Sequence, residues 1–575
     1  MEGRLLEGLN ERQRAAVEAG DGAAVIVAGP GTGKTKTLTA RIAYLIECGR
    51  AKPAQILALT FTKKAAEEMT RRVDALLFGK LAPAIHTFHA LCHELLGTDT
   101  PFVGDAERLQ IIKSLPRPKA LKDLSARELS LKISVAKNTP DIEDADLRKL
   151  VRAYNKALQA QQLRDFDDLL LETYQLLRHN ESFRRTVQRR YRYVLVDEFQ
   201  DTNILQYELL KLLAGHDNLF VIGDPNQSIY GFRGASNTIF QQFKTDFPQS
   251  SEVTLTINYR SVPQVVRLSN ALFPGAADLQ AHSGTAGLVR AVEVLNEYGE
   301  ANWIMNEIHR AIGGGDLLKA VSDDERAHHR RLSDFAVLYR SRSAAVTFQE
   351  LLTESGLPYQ VVGDGSPYDT PQIQAIIALL RARMQGEPIQ LEGYTSAEHR
   401  LLEEALDAVD QANPSALVEK IIEILGIEPS RDLQQFAGVL VRFKDVPSAL
   451  AHLDEIAERG FYDPTADAIA LLTIHASKGL EFPCVFLIGT EEGILPSARG
   501  DEAEEKRLFY VAATRARERL EITHARNRGG QRAELSRFVR ELPLDALRRH
   551  EDPDMDNQVR RIAKRAAKNS QTSLF

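Results

Sequence analysis

The sequence predicts an α/β protein made of two tandem units, each built on a parallel sheet and each interrupted by a helical insertion. Three observations predict it. Short β-rich apolar runs, each ending in a polar cluster, alternate with helical patterns: VIVA at Val25, ILAL at Ile56, VLV at Val194 and FVI at Phe220. Parallel strands covered on both faces read this way. A second set of runs follows, with VTL at Val253, FAVL at Phe335, ALLTI at Ala470, VFLIG at Val485 and LEIT at Leu520. Finally, 575 residues with 43% apolar content are too many for a single core and imply about three or four domains.

The insertions are the two stretches without strand signal, roughly Cys92 to His179 and Arg381 to Arg459, both helical and charged. After about Arg548 the composition turns polar and charged, which reads as a mobile tail. No apolar run approaches the ~20 residues needed to span a bilayer, and MEGRLLEGLNERQ lacks the features of a signal peptide, so a cytoplasmic protein without membrane contact is expected. Cys48, Cys92 and Cys484 form no CxxC pair and suggest neither a disulfide framework nor a zinc cluster. A net charge of -7 excludes a uniformly basic nucleic-acid binder, so any such contact must come from a local groove.

Three strand ends carry chemistry. AGPGTGKT follows VIVA and precedes a helical pattern, the context of a phosphate-binding loop. The loop comprises Ala28, Gly29, Pro30, Gly31, Thr32, Gly33, Lys34 and Thr35, and its glycines Gly29, Gly31 and Gly33 would let backbone N–H groups close around phosphates at a helix N-terminus. Lys34 would reach the β- and γ-phosphates and Thr35 would hold Mg²⁺, with ATP the implied nucleotide. Ala28 stands where the strict pattern has Gly. VLVDEFQDTN ends a second strand, and in an open parallel sheet ligands bind beyond the strands' carboxyl ends. Asp197 can therefore share the Mg²⁺, and Glu198 can deprotonate the attacking water. GDPNQSIYGFRGA ends a third: Asp224 and Gln227 sit where a γ-phosphate sensor is useful, while Tyr230, Phe232 and Arg233 interleave aromatic rings with charge, the chemistry that stacks bases.

In order along the chain, LNERQ, AGPGTGKT, LTFTKKAAEEM, HTFHALC, VDEFQDTN, GDPNQSIYGFRGA, INYRS, VLYRSRS, LLTIHASKGLEFPCVFLIG and EKRLFYVAATRARERL resemble the motifs of superfamily 1A helicases of the UvrD/Rep/PcrA type. The resemblance covers nearly the whole chain. It implies two RecA-like P-loop NTPase domains with the ATP site between them. The expected division is 1–91 with 179–258 as domain 1A, 92–178 as subdomain 1B, 259–380 with 460–548 as domain 2A, and 381–459 as a 2B-like subdomain much shorter than usual. The stretch 549–575 is the expected basic tail.

By the same resemblance Gln13 matches the adenine-reading glutamine, Tyr259 and Lys36 the positions that sandwich adenine, and Glu481 the ribose contact. Arg260 and Arg515 match arginines that reach the γ-phosphate from the second domain. Phe61, Tyr230 and Phe232 match rings that stack on a single strand, and Thr60, Lys63, Thr87, His89, Thr473 and His475 match contacts to its backbone. This chain has YGFRGA where the best-known members read YRWRGA, so a weaker base grip is expected. The chain ends Gln571-Thr572-Ser573-Leu574-Phe575, which resembles the peptide by which bacterial proteins dock on the DNA sliding clamp, with Gln571, Leu574 and Phe575 as the contacts.

The implied activity is ATP-driven 3′→5′ translocation on single-stranded DNA and unwinding of duplex, in DNA repair, replication or recombination, by a monomer or weak oligomer acting at single-strand/duplex junctions. A second reading stays open at this level: an ATP-gated DNA-sensing subunit of a phage-defence or recombination complex with little unwinding of its own, which the short 2B-like region favours. An NTPase acting on small molecules leaves Phe61, SIYGFRGA and TIHASKGLEF unexplained.

Overall fold

The structure is a computed structural model that describes residues 5–79, 83–98, 100–140, 142–214, 218–231, 234, 238–276, 278–313, 330–362, 371–385, 414–425, 433, 436, 440, 443–460 less the last, and 462–552. The chain packs as two compact units. Met1–Val289, Arg499–Glu518 and Glu541–Leu547 form the first, and Arg290–Ala498, Arg519–Arg540 and Arg548–Phe575 the second. The segments 259–289 and 499–518, assigned from sequence to domain 2A, thus cluster with the first unit.

The first unit holds a six-stranded sheet of β1 (Ala24–Ala28), β2 (Ile56–Thr60), β3 (Ala84–Thr87), β4 (Tyr193–Val196), β5 (Leu219–Gly223) and β6 (Ser251–Leu255), in the order β3-β2-β4-β5-β1-β6. Every pairing is parallel. The two-residue period of the strands sorts their side chains onto two cores. Ala24, Ile26, Ile56, Ala58, Leu195 and Ile222 face Leu38, Ile42, Met69 and Val73 of the helices Lys34–Glu47 and Lys63–Leu77. Val25, Leu57, Leu59, Val194, Val196 and Val221 face Leu91, Leu170, Leu209 and Phe243 on the other side. Each fully buried Val, Leu, Ile, Met or Phe among them contributes about 1.5–3 kcal/mol. This is why β2, β4 and β5 read as uninterrupted apolar runs.

The run at Val253 belongs here and not to the second sheet: as part of β6 it pairs parallel with β1, with Ile26 beside Val253. Its Ser251 and Glu252 are exposed, as befits an edge strand, and this weak apolar pattern hid its partner. Ala84–Thr87, at the opposite edge, had no clear strand signal for the same reason; all four residues are only half-buried.

Between β3 and β4 the helices Asp105–Ser114, Ala126–Lys137 and Ala145–Ala160 build a separate core around Ile112, Leu129, Ile133, Leu150 and Tyr154. A short parallel ribbon of β7 (Ile257–Asn258) and β8 (Gln280–Ala281) follows β6.

The second unit centres on β9 (Leu288–Asn296), β10 (Phe335–Tyr339), β11 (Tyr359–Val362), β12 (Ile469–Thr473), β13 (Phe482–Leu487), β14 (Ala516–Arg528), β15 (Gln531–Arg532) and β16 (Arg548–Glu551). The sheet order is β11-β12-β10-β13-β14-β9-β16, with β15 folded back on β14. Residues 549–551, expected in the tail, instead form β16, paired parallel with β9, and His550 packs on Trp303 with ring centroids 5.6 Å apart. An unbroken polar run, Arg548-Arg549-His550-Glu551, masked a strand whose side chains are exposed. The helices Pro371–Gln385, Pro414–Leu425 and Val446–Arg459 share a core of Ile376, Leu380, Leu417, Ile421 and Leu453. Among the described residues no helix is long and apolar enough to cross a membrane.

Candidate nucleotide and nucleic-acid site

An all-parallel sheet brings the carboxyl ends of its strands to one edge, and in the first unit that edge gathers the residues singled out from sequence. The strand order divides them. β4, β5 and β1 lie side by side and end in Asp197, Asp224 and the phosphate loop; β3 and β2 lie beyond and end in Thr87 and Thr60.

The phosphate loop turns between β1 and the helix Lys34–Glu47, whose N-cap Gly33 has φ +83° and supplies no side-chain cap. The first N–H groups of that helix are thus left to a ligand, and the helix dipole favours an anion there. Gly31 has φ +68°, and a Cβ on it would stand 2.6 Å from the Arg260 Cβ and 2.9 Å from Asn258 Oδ1, so only glycine fits. The loop is braced from within by the Thr32 hydroxyl, which donates to the Gly29 carbonyl (2.8 Å). Gln13 donates from Nε2 to the Thr32 carbonyl (2.9 Å) and accepts at Oε1 from the Asn10 N–H, so it supports the loop from the N-terminal helix. Lys34 Nζ donates to the Ala28 carbonyl (3.3 Å), and Pro30 accepts from Asn258 Nδ2 (2.8 Å).

Asn258 was not among the residues expected from sequence. Its side chain also accepts from the N–H groups of Arg260 (2.9 Å) and Ser261 (2.8 Å), which fixes the start of the Arg260 segment against the loop. Next to it, Tyr259 donates its N–H to the Gly31 carbonyl (2.8 Å), accepts at its hydroxyl from Asn10 Nδ2 (2.9 Å) and packs against His282 at 4.7 Å. Lys36 is exposed and donates to the Gly8 carbonyl (2.7 Å). Gln13, Tyr259 and Lys36 therefore border one side of the loop, and the half-exposed Tyr259 ring leaves a face for a planar ligand.

Asp197 is buried at the end of β4, its N–H donating to the Leu59 carbonyl of β2 (2.9 Å). Burial and the adjacent Glu198 charge push its carboxyl up to about 7, against the pull of Lys34 and the hydroxyl of Thr35. Thr35 hydroxyl and Asp197 carboxylate are hard oxygen donors in contact, a fitting pair for Mg²⁺ that keeps most of its waters. Glu198 is half-buried with φ +49°, in the left-handed region that non-glycine residues rarely occupy. Its carboxylate accepts from Gln200 Nε2 (2.6 Å), and Gln200 Oε1 accepts from the Asp224 N–H (2.9 Å). Gln200, a second residue without an expected role, thus ties the end of β4 to the end of β5.

At β5, burial raises the Asp224 carboxyl while Lys34 lowers it. Asp224 accepts from Gln227 Nε2 (2.8 Å) and from the Tyr510 hydroxyl (3.4 Å). Arg515, 1% exposed, donates to Gln227 Oε1 (3.5 Å) and to the Thr514 hydroxyl (3.2 Å). Arg515 and Arg260, expected to act from the second domain, both pack within the first unit.

On the β2 and β3 side, Phe61 and Tyr230 stack on each other, with centroids 5.5 Å apart and ring planes 12° apart. Thr60 is buried and its hydroxyl has no partner among the described residues. Lys63 opens the helix Lys63–Leu77 and is exposed. Thr87 caps the helix Phe88–Leu96 by accepting from the Ala90 N–H (3.2 Å), and burial holds the His89 ring below its ordinary pKa, with the Asp167 charge opposing. Phe232, Arg233 and the tail contacts Gln571, Leu574 and Phe575 lie outside the described residues. The second unit carries the remaining three candidates by itself, at the end of β12 and in the segment after it: Thr473, which ends β12 and accepts from the Ala476 N–H (3.3 Å), then His475 and the exposed Glu481.

The missed residues share one signal. Asn258, Gln200 and Tyr510 are polar side chains inside the quoted motifs INYRS, VDEFQDTN and RLFYVAATRAR, each adjacent or close to a residue with an expected role. Buried amides in such places need partners, and here those partners are the neighbouring motifs.

Comparison with known proteins identifies the family. The UvrD/REP helicase N-terminal domain matches residues 9–139 and 119–248, and the UvrD-like helicase C-terminal domain matches 253–387 and 415–527. The ATP-dependent DNA helicase PcrA of Bacillus subtilis is 32% identical over 655 aligned positions, which cover 95% of this chain and 87% of that protein. The ATP-dependent DNA helicase UvrD1 of Mycobacterium leprae is 30% identical over 690 positions, covering 95% and 86%. Both alignments are longer than the chain's 575 residues, so these relatives carry residues with no counterpart here. The chain belongs to the UvrD/PcrA family of superfamily 1A helicases, which are ATP-dependent DNA helicases.

Proposed function

We propose that this protein is an ATP-driven translocase on single-stranded DNA that unwinds duplex in the 3′→5′ direction at single-strand/duplex junctions. One observation carries the reading. The phosphate machinery of β1, β4 and β5 and the aromatic and hydroxyl track of β2 and β3 share one carboxyl edge, and the Phe61–Tyr230 stack joins a β2 loop to a β5 loop.

In this reading ATP lays its phosphates against the N–H groups of the loop from Gly31 to Thr35, with Lys34 countering their charge. Mg²⁺, held by Thr35 and Asp197, would supply further charge neutralisation when bound. Glu198 accepts the proton of the attacking water, and Gln200 fixes the direction in which its carboxylate points. Gln227 and Arg515, already in contact, meet the γ-phosphate together with Arg260, a form of charge stabilisation worth about 10³–10⁵ in rate. Gln13, Tyr259 and Lys36 hold adenine, with Glu481 at the ribose. Phe61, Tyr230, Phe232 and Arg233 grip bases, while Thr60, Lys63, Thr87, His89, Thr473 and His475 touch the DNA backbone.

The inserts correspond to subdomains 1B and 2B of the expected division, the chain works as a monomer or weak oligomer in the cytoplasm, and its pathway is DNA repair, replication or recombination. The terminal QTSLF sequence supports docking on the sliding clamp through Gln571, Leu574 and Phe575. Clamp binding by the full chain that survives removal of the last five residues would refute that part.

The deciding experiment is steady-state ATP hydrolysis by the full chain with and without oligo-dT, beside Glu198→Gln, followed by strand displacement on duplexes with a 3′ or a 5′ single-stranded tail. DNA-stimulated hydrolysis that vanishes in the variant, and unwinding only from the 3′ tail, are expected. Rapid hydrolysis indifferent to DNA would overturn the motor reading, and unwinding from the 5′ tail would overturn the polarity.

A further inference from the structure

The helical insertion and the DEFQDTN segment are joined by a buried chain of amides and acids that the hydrolysis machinery does not use. Asn138, the first residue after the helix Ala126–Lys137, commits its whole side chain. Its Nδ2 donates to Asp167 Oδ1 (2.7 Å) and to the Ser134 carbonyl (2.9 Å), and its Oδ1 accepts from Asn203 Nδ2 (2.9 Å). Its carbonyl accepts the Leu205 N–H (3.2 Å). Asn138, Asp167 and Asn203 are 7%, 8% and 7% exposed, so water does not substitute for these partners.

One end of the chain lies at the proposed DNA track. Asp167 follows Phe166, whose exposed ring meets His89 edge-on at 6.1 Å, and its second oxygen accepts from Arg108 Nη2 (3.4 Å). The start of the helix Phe166–His179 is clamped again by Lys137, which is wholly buried between Asp165 (2.9 Å) and Asp168 (2.6 Å). Lys137 and Asn138 thus seize that helix start from the same point of the insertion.

The other end lies at the hydrolysis machinery. Asn203 and Gln206 cap the next helix reciprocally, through N–H to Oε1 (3.0 Å) and N–H to Oδ1 (2.8 Å). The turn Phe199–Asp201 and its C-cap Thr202 separate Asn203 from Glu198, and that turn is pinned by the Asp201 N–H on the Glu198 carbonyl (2.9 Å) and the Thr202 N–H on the Phe199 carbonyl (3.1 Å). Losing any one of these bonds would orphan a buried polar group at a cost of about 1–3 kcal/mol, so a displacement at one end that exceeds the slack of a hydrogen bond is favoured to carry the next residue with it.

We propose that Asn138 and Asn203 are positioning residues that couple DNA contact beside His89 to the placement of Glu198, an inference that rests on the DNA-stimulated hydrolysis proposed above. DNA that shifts His89 and the Phe166 helix start would move Asp167, then Asn138, then Asn203 and the turn that carries the general base.

The test measures ATP hydrolysis with and without oligo-dT, and binding of fluorescent oligo-dT by anisotropy, for the full chain, Asn138→Ala, Asn203→Ala and the double variant. The expected result is oligo-dT affinity and DNA-free hydrolysis within about twofold of the parent, with the stimulation ratio reduced about tenfold. The double variant should be no worse than either single one, because one break severs the link. Leu129→Ala, a truncation in the same insertion core that leaves the link intact, separates coupling from stability and should keep the stimulation. Undiminished stimulation in the single variants, or an equal loss in Leu129→Ala, would overturn the proposal. A parent chain indifferent to DNA would overturn the functional reading and the link with it; a stimulated parent with stimulated variants overturns the link alone.

Discussion

Truncating Asn258 to alanine should impair hydrolysis although its side chain carries no charge. The side chain is 2% exposed and makes three hydrogen bonds, to the Pro30 carbonyl (2.8 Å) and from the N–H groups of Arg260 (2.9 Å) and Ser261 (2.8 Å). Removing it leaves three main-chain groups without these partners at a net cost of about 1 kcal/mol each. The sum, about 3 kcal/mol, corresponds to roughly a hundredfold in kcat/KM if all of it falls on transition-state placement of Arg260 and the phosphate loop. Since part of the cost is relieved by relaxation in the free protein, a loss of about ten- to a hundredfold is expected. Asn258→Asp should not rescue, because it keeps the two acceptor bonds but sets a carboxylate against the Pro30 carbonyl. The assay is steady-state hydrolysis with saturating oligo-dT, beside a thermal melt of each variant. A folded Asn258→Ala protein whose kcat/KM lies within about threefold of the parent would refute the claim that this amide holds the two elements together.

Protonation at Asp197 gives a second expectation. Its folded pKa is raised from 3.8 to about 7, so its contribution to stability is fully present below the unfolded value and is lost as pH rises through the folded one. The nucleotide-free protein should therefore lose stability between about pH 4 and pH 7 through this group, and Asn at 197 should flatten that part of the profile. Binding of Mg²⁺ with a non-hydrolysable ATP analogue near pH 6 should release about one proton from the parent and not from Asp197→Asn, measured by calorimetry in buffers of different ionisation enthalpy. Equal proton release from both would contradict the assignment. Phe61→Ala and Tyr230→Ala should each weaken oligo-dT binding by about 1–3 kcal/mol, and the double variant should lose less than the sum because the rings stack on each other. Strict additivity in anisotropy titrations would argue that the rings act separately.

The buried strands were legible in the sequence because burial on both faces leaves an uninterrupted apolar run, as in β2 and β5. Edge strands were less so: β3 is half-buried and β16 is polar throughout, so neither displays an apolar run, while the VTL run of β6 was visible but its two exposed leading residues hid its pairing with β1. At the site, charges and glycines announced themselves, because phosphate chemistry and left-handed turns restrict those positions to few residue types. The amides did not. Gln200, Asn258 and Asn138 act through partners distant in sequence, 24 residues away for Gln200 and Asp224 and 228 for Asn258 and Pro30, and no local spacing encodes such a pairing. The packing of 259–289 with the first unit is likewise a property of long-range contacts.

The left-handed backbone of Glu198 bears on how this protein can be improved. At φ +49° a glutamate is strained, while glycine or asparagine would sit there at ease. A campaign that ranks variants by melting temperature alone would therefore be drawn toward replacements at this position, each more heat-resistant and each without the carboxylate to which the proposed mechanism gives the proton of the attacking water. On that proposal directed evolution here has to screen turnover alongside thermal tolerance, or its most robust products will be folded proteins that no longer split ATP.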